Sequence, residues 1–270
     1  MTYETLDVSV ADGIAHVRLN RPAKANAMNR AMWNEIREAF RWVDATPEAR
    51  VAVLSGNGPH FTSGIDLSLL GSVQAEVTDT CDGRSREKLR RLILDLQDTL
   101  TSLERCRKPV IAAVHGACIG GGVDLVCCAD IRYAAADAAF QVKEIDLGMT
   151  ADVGTLQRLP RLVPDGLGRE WAYTGRKVAA EEAARAGFVN RVFDTPESLA
   201  TGAAETARAI AAKSPLAIRG TKEMLLYARD HTVADGLNYV ATWNAAMLLS
   251  SDLREAFGAA MERREANFGD

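Results

Sequence analysis

Apolar and polar positions alternate around Asp12-Gly13, with Val8 and Val10 before the pair and Ile14, His16, Val17 and Leu19 after it. Alternation flanking an Asp-Gly pair predicts a hairpin with that pair as its turn. The spacing then lengthens. Met32, Ile36, Ala39, Phe40 and Val43 recur at helical intervals, and Asn29 is placed to cap a helix over residues 30–43. Val51-Ala52-Val53-Leu54 and Val110-Ile111-Ala112-Ala113-Val114 are continuous apolar runs, the pattern of strands buried on both faces. Each empties into a glycine-rich loop, at residues 55–64 and 115–122. An apolar helix over residues 123–128 and a strand over 131–134 follow the second loop.

Residues 71–83 are polar and lack a period, so a loop is expected there, followed by a long helix over 85–105. From Thr195 the pattern is helical to the end. Thr195-Pro196, Ser214-Pro215, Thr232 and Ser251 are the expected starts of four helices. The chain therefore divides into an α/β core, residues 1–195, and a helical region, residues 196–270. Strand and helix units recur without a strict sequence repeat.

The 270 residues are 47% hydrophobic and 25% charged, enough to bury a core without a disulfide or metal staple. A net charge of −4 gives no electrostatic footprint for nucleic acid. The basic cluster at residues 84–91 contains Glu87 and reads as a solvated helix face. The five cysteines follow no C-x-x-C spacing and the four histidines are scattered, which argues for a reducing compartment and against a metal site. No apolar run reaches the ~20 residues of a membrane span. The opening Met1-Thr2-Tyr3-Glu4-Thr5 is not a signal peptide, and the closing Asn267-Phe268-Gly269-Asp270 is not a peroxisomal address. A cytoplasmic location is the expectation.

The glycine loops carry the first chemical hint. Glycine allows tight turns and close approach to a ligand, and the second loop opens a helix, where unpaired N–H groups and the positive helix end meet. That suits an anion or a developing oxyanion. Alone, Gly120-Gly121-Gly122 is more often a plain turn; it has neither P-loop nor dinucleotide spacing. Three acids shift the balance. Asp124 lies among Val123, Leu125, Val126, Cys127 and Cys128, so it is buried, unless it only complements its own helix end. Glu144 follows Phe140 and Val142 at strand period, which makes it a candidate base with a raised pKa or, more plainly, a strand end reaching solvent. Asp152 precedes Val153-Gly154-Thr155-Leu156, where a helix cap is the favoured reading.

Ser63-Gly64-Ile65-Asp66-Leu67, residues 116–125 and Cys128-Ala129-Asp130-Ile131-Arg132 resemble the enoyl-CoA hydratase/isomerase (crotonase) superfamily in order and separation. Leu19-Asn20-Arg21-Pro22 and Thr155-Leu156-Gln157-Arg158-Leu159-Pro160 match as well, so the resemblance spans the chain. Within it, residues 140–148, Ala151-Asp152-Val153-Gly154, Tyr227-Ala228-Arg229-Asp230-His231 and residues 237–244 are most similar to the Δ3,5-Δ2,4-dienoyl-CoA isomerases. The resemblance implies an α/β, ClpP-like spiral of ββα units with a C-terminal helical trimerisation region, and a homotrimer or homohexamer.

It also implies roles. Ile65 and Gly121 would supply the two N–H groups of an oxyanion hole, Glu144 and Asp152 the acid/base pair, and Asp124 a third acid. Ser63, Gly64, Ile65, Asp66, Leu67, Gly121, Lys24 and Ala25 would bind an acyl-CoA thioester. Hydratases carry glutamates at the positions of Asp124 and Glu144, and usually glycine at that of Asp152. Met149-Thr150 departs from the small apolar pair common in the isomerases, which bears on the acyl chain. The implied reaction moves a proton from C2 to C6 of a 3,5-dienoyl-CoA. No cofactor is implied, coenzyme A being part of the substrate. Two other readings stay open: an enoyl-CoA hydratase, and a non-catalytic acyl-CoA-binding subunit.

Overall fold

A computed structural model of the chain describes residues 2–270; Met1, part of the opening read above, lies outside it. The hairpin forms as expected, with β1 (Leu6–Ala11) antiparallel to β2 (Ile14–Leu19) and positive φ at Asp12 and Gly13. Helix α1 (Arg30–Ala45) begins where the Asn29 side chain accepts the Met32 N–H at 3.0 Å. Strand β3 (Val51–Gly56) then pairs parallel to β2.

Residues 71–83 are the expected loop only at 78–81. Helix α2 (Leu67–Val77) occupies the first part of the segment, and α3 (Asp82–Arg105) starts before its end. The Asp66 carboxylate caps α2 by accepting the Ser68 N–H at 3.0 Å. Only Leu69 and Val77 of α2 are buried, so the segment carries no apolar stripe for a sequence reading to find.

Strand β4 (Val110–Val114) is buried throughout and is followed by β5 (Ala117–Ile119), α4 (Gly121–Cys128), β6 (Ile131–Ala135) and β7 (Ala139–Gln141). Short elements come next: α5 (Thr155–Arg158), α6 (Asp165–Thr174), β8 (Val178–Ala179), α7 (Ala180–Arg185) and β9 (Arg191–Phe193). The last four helices are α8 (Pro196–Ala211), α9 (Pro215–Tyr227), α10 (Val233–Met247) and α11 (Ser251–Glu262). Their caps are Thr195, Ser214, Thr232 and Ser250, so the final cap stands one residue before the expected one.

Among the described residues the larger sheet has the order β1-β2-β3-β4-β6-β9, parallel except for the first pair. The smaller sheet is β5-β7-β8. Alternate residues of each strand serve two cores. Ala52, Leu54, Val110, Ala112 and Val114 face the core shared with α1 and α3, while Val51, Val53, Ile111 and Ala113 face α8. Leu199, Ala203, Ala207 and Ala211 of α8 close that second face. A Cβ on Gly202 would lie 2.2 Å from the Phe193 ring, so α8 approaches the sheet only because that residue is glycine.

Two isolated parallel bridges fix the first glycine loop: Ile65 pairs with Met28, and Thr62 pairs with Cys118 of β5 in the smaller sheet. They bring the ends of β3 and β4 together over one cavity. The α/β core followed by C-terminal helices expected from the sequence is the arrangement observed.

Candidate active site

Asn26, fully buried with φ +53, is the staple of the first loop. Its amide donates to the carbonyls of Asn57 and His60, both at 2.9 Å, while Thr62 Oγ1 donates to the Asn26 carbonyl at 2.6 Å. This fixes the segment leading into Ser63-Gly64-Ile65. Gly64 has φ +87 and accepts the Met28 N–H at 2.8 Å, and the Asp66 N–H donates to Met28 O at 3.1 Å. The amides flanking Ile65 are thus occupied, whereas the Ile65 N–H has no acceptor among the described residues.

The second loop meets the first at Gly64. A Cβ on Gly64 would stand 2.6 Å from Ile119 O and 3.6 Å from Gly121 N, so the loops converge at van der Waals distance with no room for a side chain. Gly121 is the first residue of α4, where an amide has no intrahelical acceptor. Gly120, at φ +51, makes the turn, and its N–H donates to Gln141 O at 2.8 Å. Two unpaired N–H groups from two loops therefore lie on either side of one tight contact.

A cavity of about 500 Å³ opens beside them. Ser63, Gly64, Ile65, Asp66, Leu67 and Lys24 line it, as do Glu144 and Asp152. Ala25 and Gly121 do not: Gly121 stands behind Gly120, which lines the cavity, and Ala25 holds the first loop from behind, at φ +48, its carbonyl accepting the Ser63 N–H at 2.9 Å. Asp66 is occupied by Ser68 and by Arg21 at 3.0 Å, and these bonds lower its pKa to about 2. Its carboxylate shapes the wall as a cap rather than as a free charge.

The three acids sit at three depths. Asp124 is fully buried behind the wall. It does not cap its own helix; its Oδ1 accepts the Thr155 N–H at 2.5 Å, and Oδ2 is buried without a partner. Burial, then the charge of Glu144, raises its pKa to about 7. Glu144 reaches the cavity by a route the strand period did not anticipate. Strand β7 ends at Gln141, and Glu144 opens a 3-10 turn over Glu144–Leu147 that turns its carboxyl toward Gly120. A Cβ on Gly120 would lie 3.1 Å from Oε1, and Oε2 is buried without a partner. Burial first, with the charge of Asp152, raises the Glu144 pKa.

Asp152 stands at the rim, solvent-accessible, and desolvation by the surrounding wall still raises its pKa. It is not the cap favoured by its position in the sequence. Gly154 occupies the cap position of α5 without a side-chain bond, and Asp124 takes the Thr155 amide instead. Burial thus raises the pKa of all three acids, and the charges of Glu144 and Asp152 raise that of Asp124 further.

Trp33, Leu96, Leu147 and Met149 also line the cavity. Trp33 packs beside Gly121, its ring 3.5 Å from where a Cβ would stand, and its Nε1 is buried without a partner. It was legible only as one more apolar residue of α1. Leu96 and the neighbouring Gln97 come from a helix far away in sequence, and no local signal ties them to the site.

The enoyl-CoA hydratase/isomerase family model matches residues 9–270. The chain is 46% identical to the peroxisomal Δ(3,5)-Δ(2,4)-dienoyl-CoA isomerase of Arabidopsis thaliana, over 99% of this chain and 98% of that one. It is 48% identical to the mitochondrial Δ(3,5)-Δ(2,4)-dienoyl-CoA isomerase of Homo sapiens, over 98% of this chain and 81% of the relative. Among solved structures, the enoyl-CoA hydratase of Bacillus anthracis superimposes with a TM-score of 0.88 at 29% identity, covering 98% of this chain and 99% of that one.

The cytoplasmic expectation is overturned by these relatives, which are peroxisomal and mitochondrial proteins. It rested on missing address signals at residues 1–5 and 267–270, and a missing signal does not specify a compartment. With the family match over nearly its whole length and the fold shared end to end, the chain belongs to the enoyl-CoA hydratase/isomerase family.

Proposed function

We propose that the protein converts a 3,5-dienoyl-CoA to the 2,4-dienoyl-CoA by moving a proton from C2 to C6. The observation that carries the reading is Asp152 on the same cavity as Glu144, beside two unpaired loop amides. The greater identity to the two isomerases than to the hydratase of similar fold supports it.

The thioester oxygen lies between the N–H groups of Ile65 and Gly121. Glu144 removes a proton from C2, and the electron pair of that C–H bond becomes an enolate conjugated through C6. The two amides stabilise the charge on oxygen; such a donor is worth roughly 3 kcal/mol in the transition state. Asp152, in its protonated form, delivers its proton to C6. Glu144 ends protonated and Asp152 ionised, and proton exchange with solvent restores both. Asp124, neutral over part of the physiological range, limits the negative charge behind Glu144. Lys24 at the cavity mouth fits the coenzyme A phosphates.

A trimer built through the C-terminal helices, alone or doubled to a hexamer, is part of the proposal. Leu237, Leu248, Leu249, Phe257 and Met261 of this region are exposed in the single chain, a concentration of apolar surface that subunit packing would cover.

The test is spectrophotometric. Wild type with 3,5-dienoyl-CoA is expected to generate the absorbance of the conjugated 2,4-dienoyl product. Asp152→Asn is expected to lose this activity and still bind coenzyme A. Rapid bleaching of a 2-enoyl-CoA with no dienoyl isomerisation would replace the reading with a hydratase. Binding without turnover of either substrate would replace it with a non-catalytic subunit.

A further inference from the structure

The acid at the rim is held by a helix that carries none of the three acids of the site. Gln97, Thr101 and Glu104 lie on α3 at spacings of four and three residues, one face over two turns. All three reach the segment that carries Asp152. Gln97 Nε2 donates to the Asp152 backbone carbonyl at 2.6 Å. Thr101 Oγ1 accepts from Arg158 at 3.5 Å, and Glu104 accepts from Arg158 at 2.8 and 3.3 Å. Arg229, just beyond α9, pairs with the same glutamate. The Arg158–Glu104 pair is largely shielded, with side chains 16% and 18% exposed. Burial alone would raise the Glu104 pKa, but the bonds and charge of Arg158 and Arg229 outweigh it and hold the group ionised.

Between these anchors the chain is shaped to fit. Gly154 has φ +134, and a Cβ there would lie 1.9 Å from Arg158 Nη1, so the arginine folds back over a position only glycine can fill. One residue on, the Thr155 amide is fixed to Asp124. Residues 152–158 are thus tied at the start by Gln97, in the middle by Asp124 and at the end by Glu104.

We infer that the Gln97–Thr101–Glu104 stripe is a positioning device that sets where the Asp152 carboxyl stands relative to C6 of the substrate. The inference rests on the proposed isomerase reading and adds positioning residues to it. Asp152 is solvent-accessible and its carboxylate makes no bond to another side chain among the described residues, so its aim depends on the backbone that carries it. A misplacement of about 1 Å costs on the order of a hundredfold in rate. The C2 proton, taken by Glu144 from another element, is outside the reach of the stripe.

The experiment compares Gln97→Leu and Glu104→Gln with wild type in three measurements. For both variants, kcat for 3,5-dienoyl-CoA is expected to fall about tenfold to a hundredfold with KM within about twofold. Exchange of the C2 proton with deuterated solvent is expected to persist near the wild-type rate. Amide hydrogen exchange in residues 152–158 is expected to quicken while that in β3 and β4 does not. Unchanged kcat would overturn the inference. So would an equal loss of isomerisation and C2 exchange, which marks general damage to the site. A wild type that does not isomerise the dienoyl substrate counts against the isomerase reading alone; amide exchange in residues 152–158 then decides whether the stripe clamps the segment.

Discussion

Asp124 illustrates how burial turns a common side chain into a chemical one. Its carboxyl has one partner, the Thr155 amide, and lies behind the cavity wall with Glu144 in front. The unfolded chain loses this proton near the ordinary pKa of 3.8, whereas the folded protein keeps it until about 7. The contribution to stability is therefore fully present below pH 4 and is lost as pH rises through 7. At roughly 1.4 kcal/mol per pKa unit, the loss is on the order of 4 kcal/mol. Asp124→Asn, neutral at every pH, is expected to gain stability relative to wild type between pH 5 and pH 8, read as a rising difference in urea midpoint. Parallel midpoints across that range would contradict this. The burial of Asp124 was legible from its apolar neighbours, but its partner was not, because Thr155 is 31 residues away. Glu144 was singled out on a strand period that stops at Gln141, so the residue was found while the geometry behind the choice was not.

The elements that meet at the site are loops fixed by their strands. Continuous apolar runs located β3 and β4, and the glycines marked where each chain turns, because parallel strands buried on both faces leave little ambiguity. The convergence of the loops was not legible, since no local pattern encodes the contact between Gly64 and Ile119. Gly64→Ala tests that contact directly. The methyl would strike Ile119 O and drive the Ile65 and Gly121 amides apart. We expect kcat to fall by about 10² to 10³, as for loss of one oxyanion donor, with circular dichroism like that of wild type. Activity within a few-fold of wild type would mean the contact does not set the amides. Helix α2 marks the opposite case. Its cap, Asp66, was read only as a ligand residue, and with two buried positions the helix left no period in the sequence.

At the scale of the whole molecule, α8 seals the sheet, whereas α10 buries no residue within the single chain. A helix of 15 residues with no buried residue in the single chain is what the proposed trimer would cover. Replacing Leu237 and Leu249 together by glutamate is expected to release monomers in light scattering without loss of helicity, because neither side chain supports the subunit's own core. An unchanged assembly would place the interface elsewhere. The four C-terminal helix starts were legible because Ser or Thr caps, two followed by proline, are local signals; which faces remain uncovered depends on packing between distant segments.

The claim on which the account turns is that two different acids handle the two ends of one conjugated system. Turnover of 3,5-dienoyl-CoA in deuterated water, followed by NMR of the product, measures it most directly. The account predicts a 2,4-dienoyl-CoA carrying solvent deuterium at C6, because that proton comes from the solvent-accessible Asp152. A product whose C6 retains the hydrogen taken from C2, or a hydrated product in place of the diene, would contradict it.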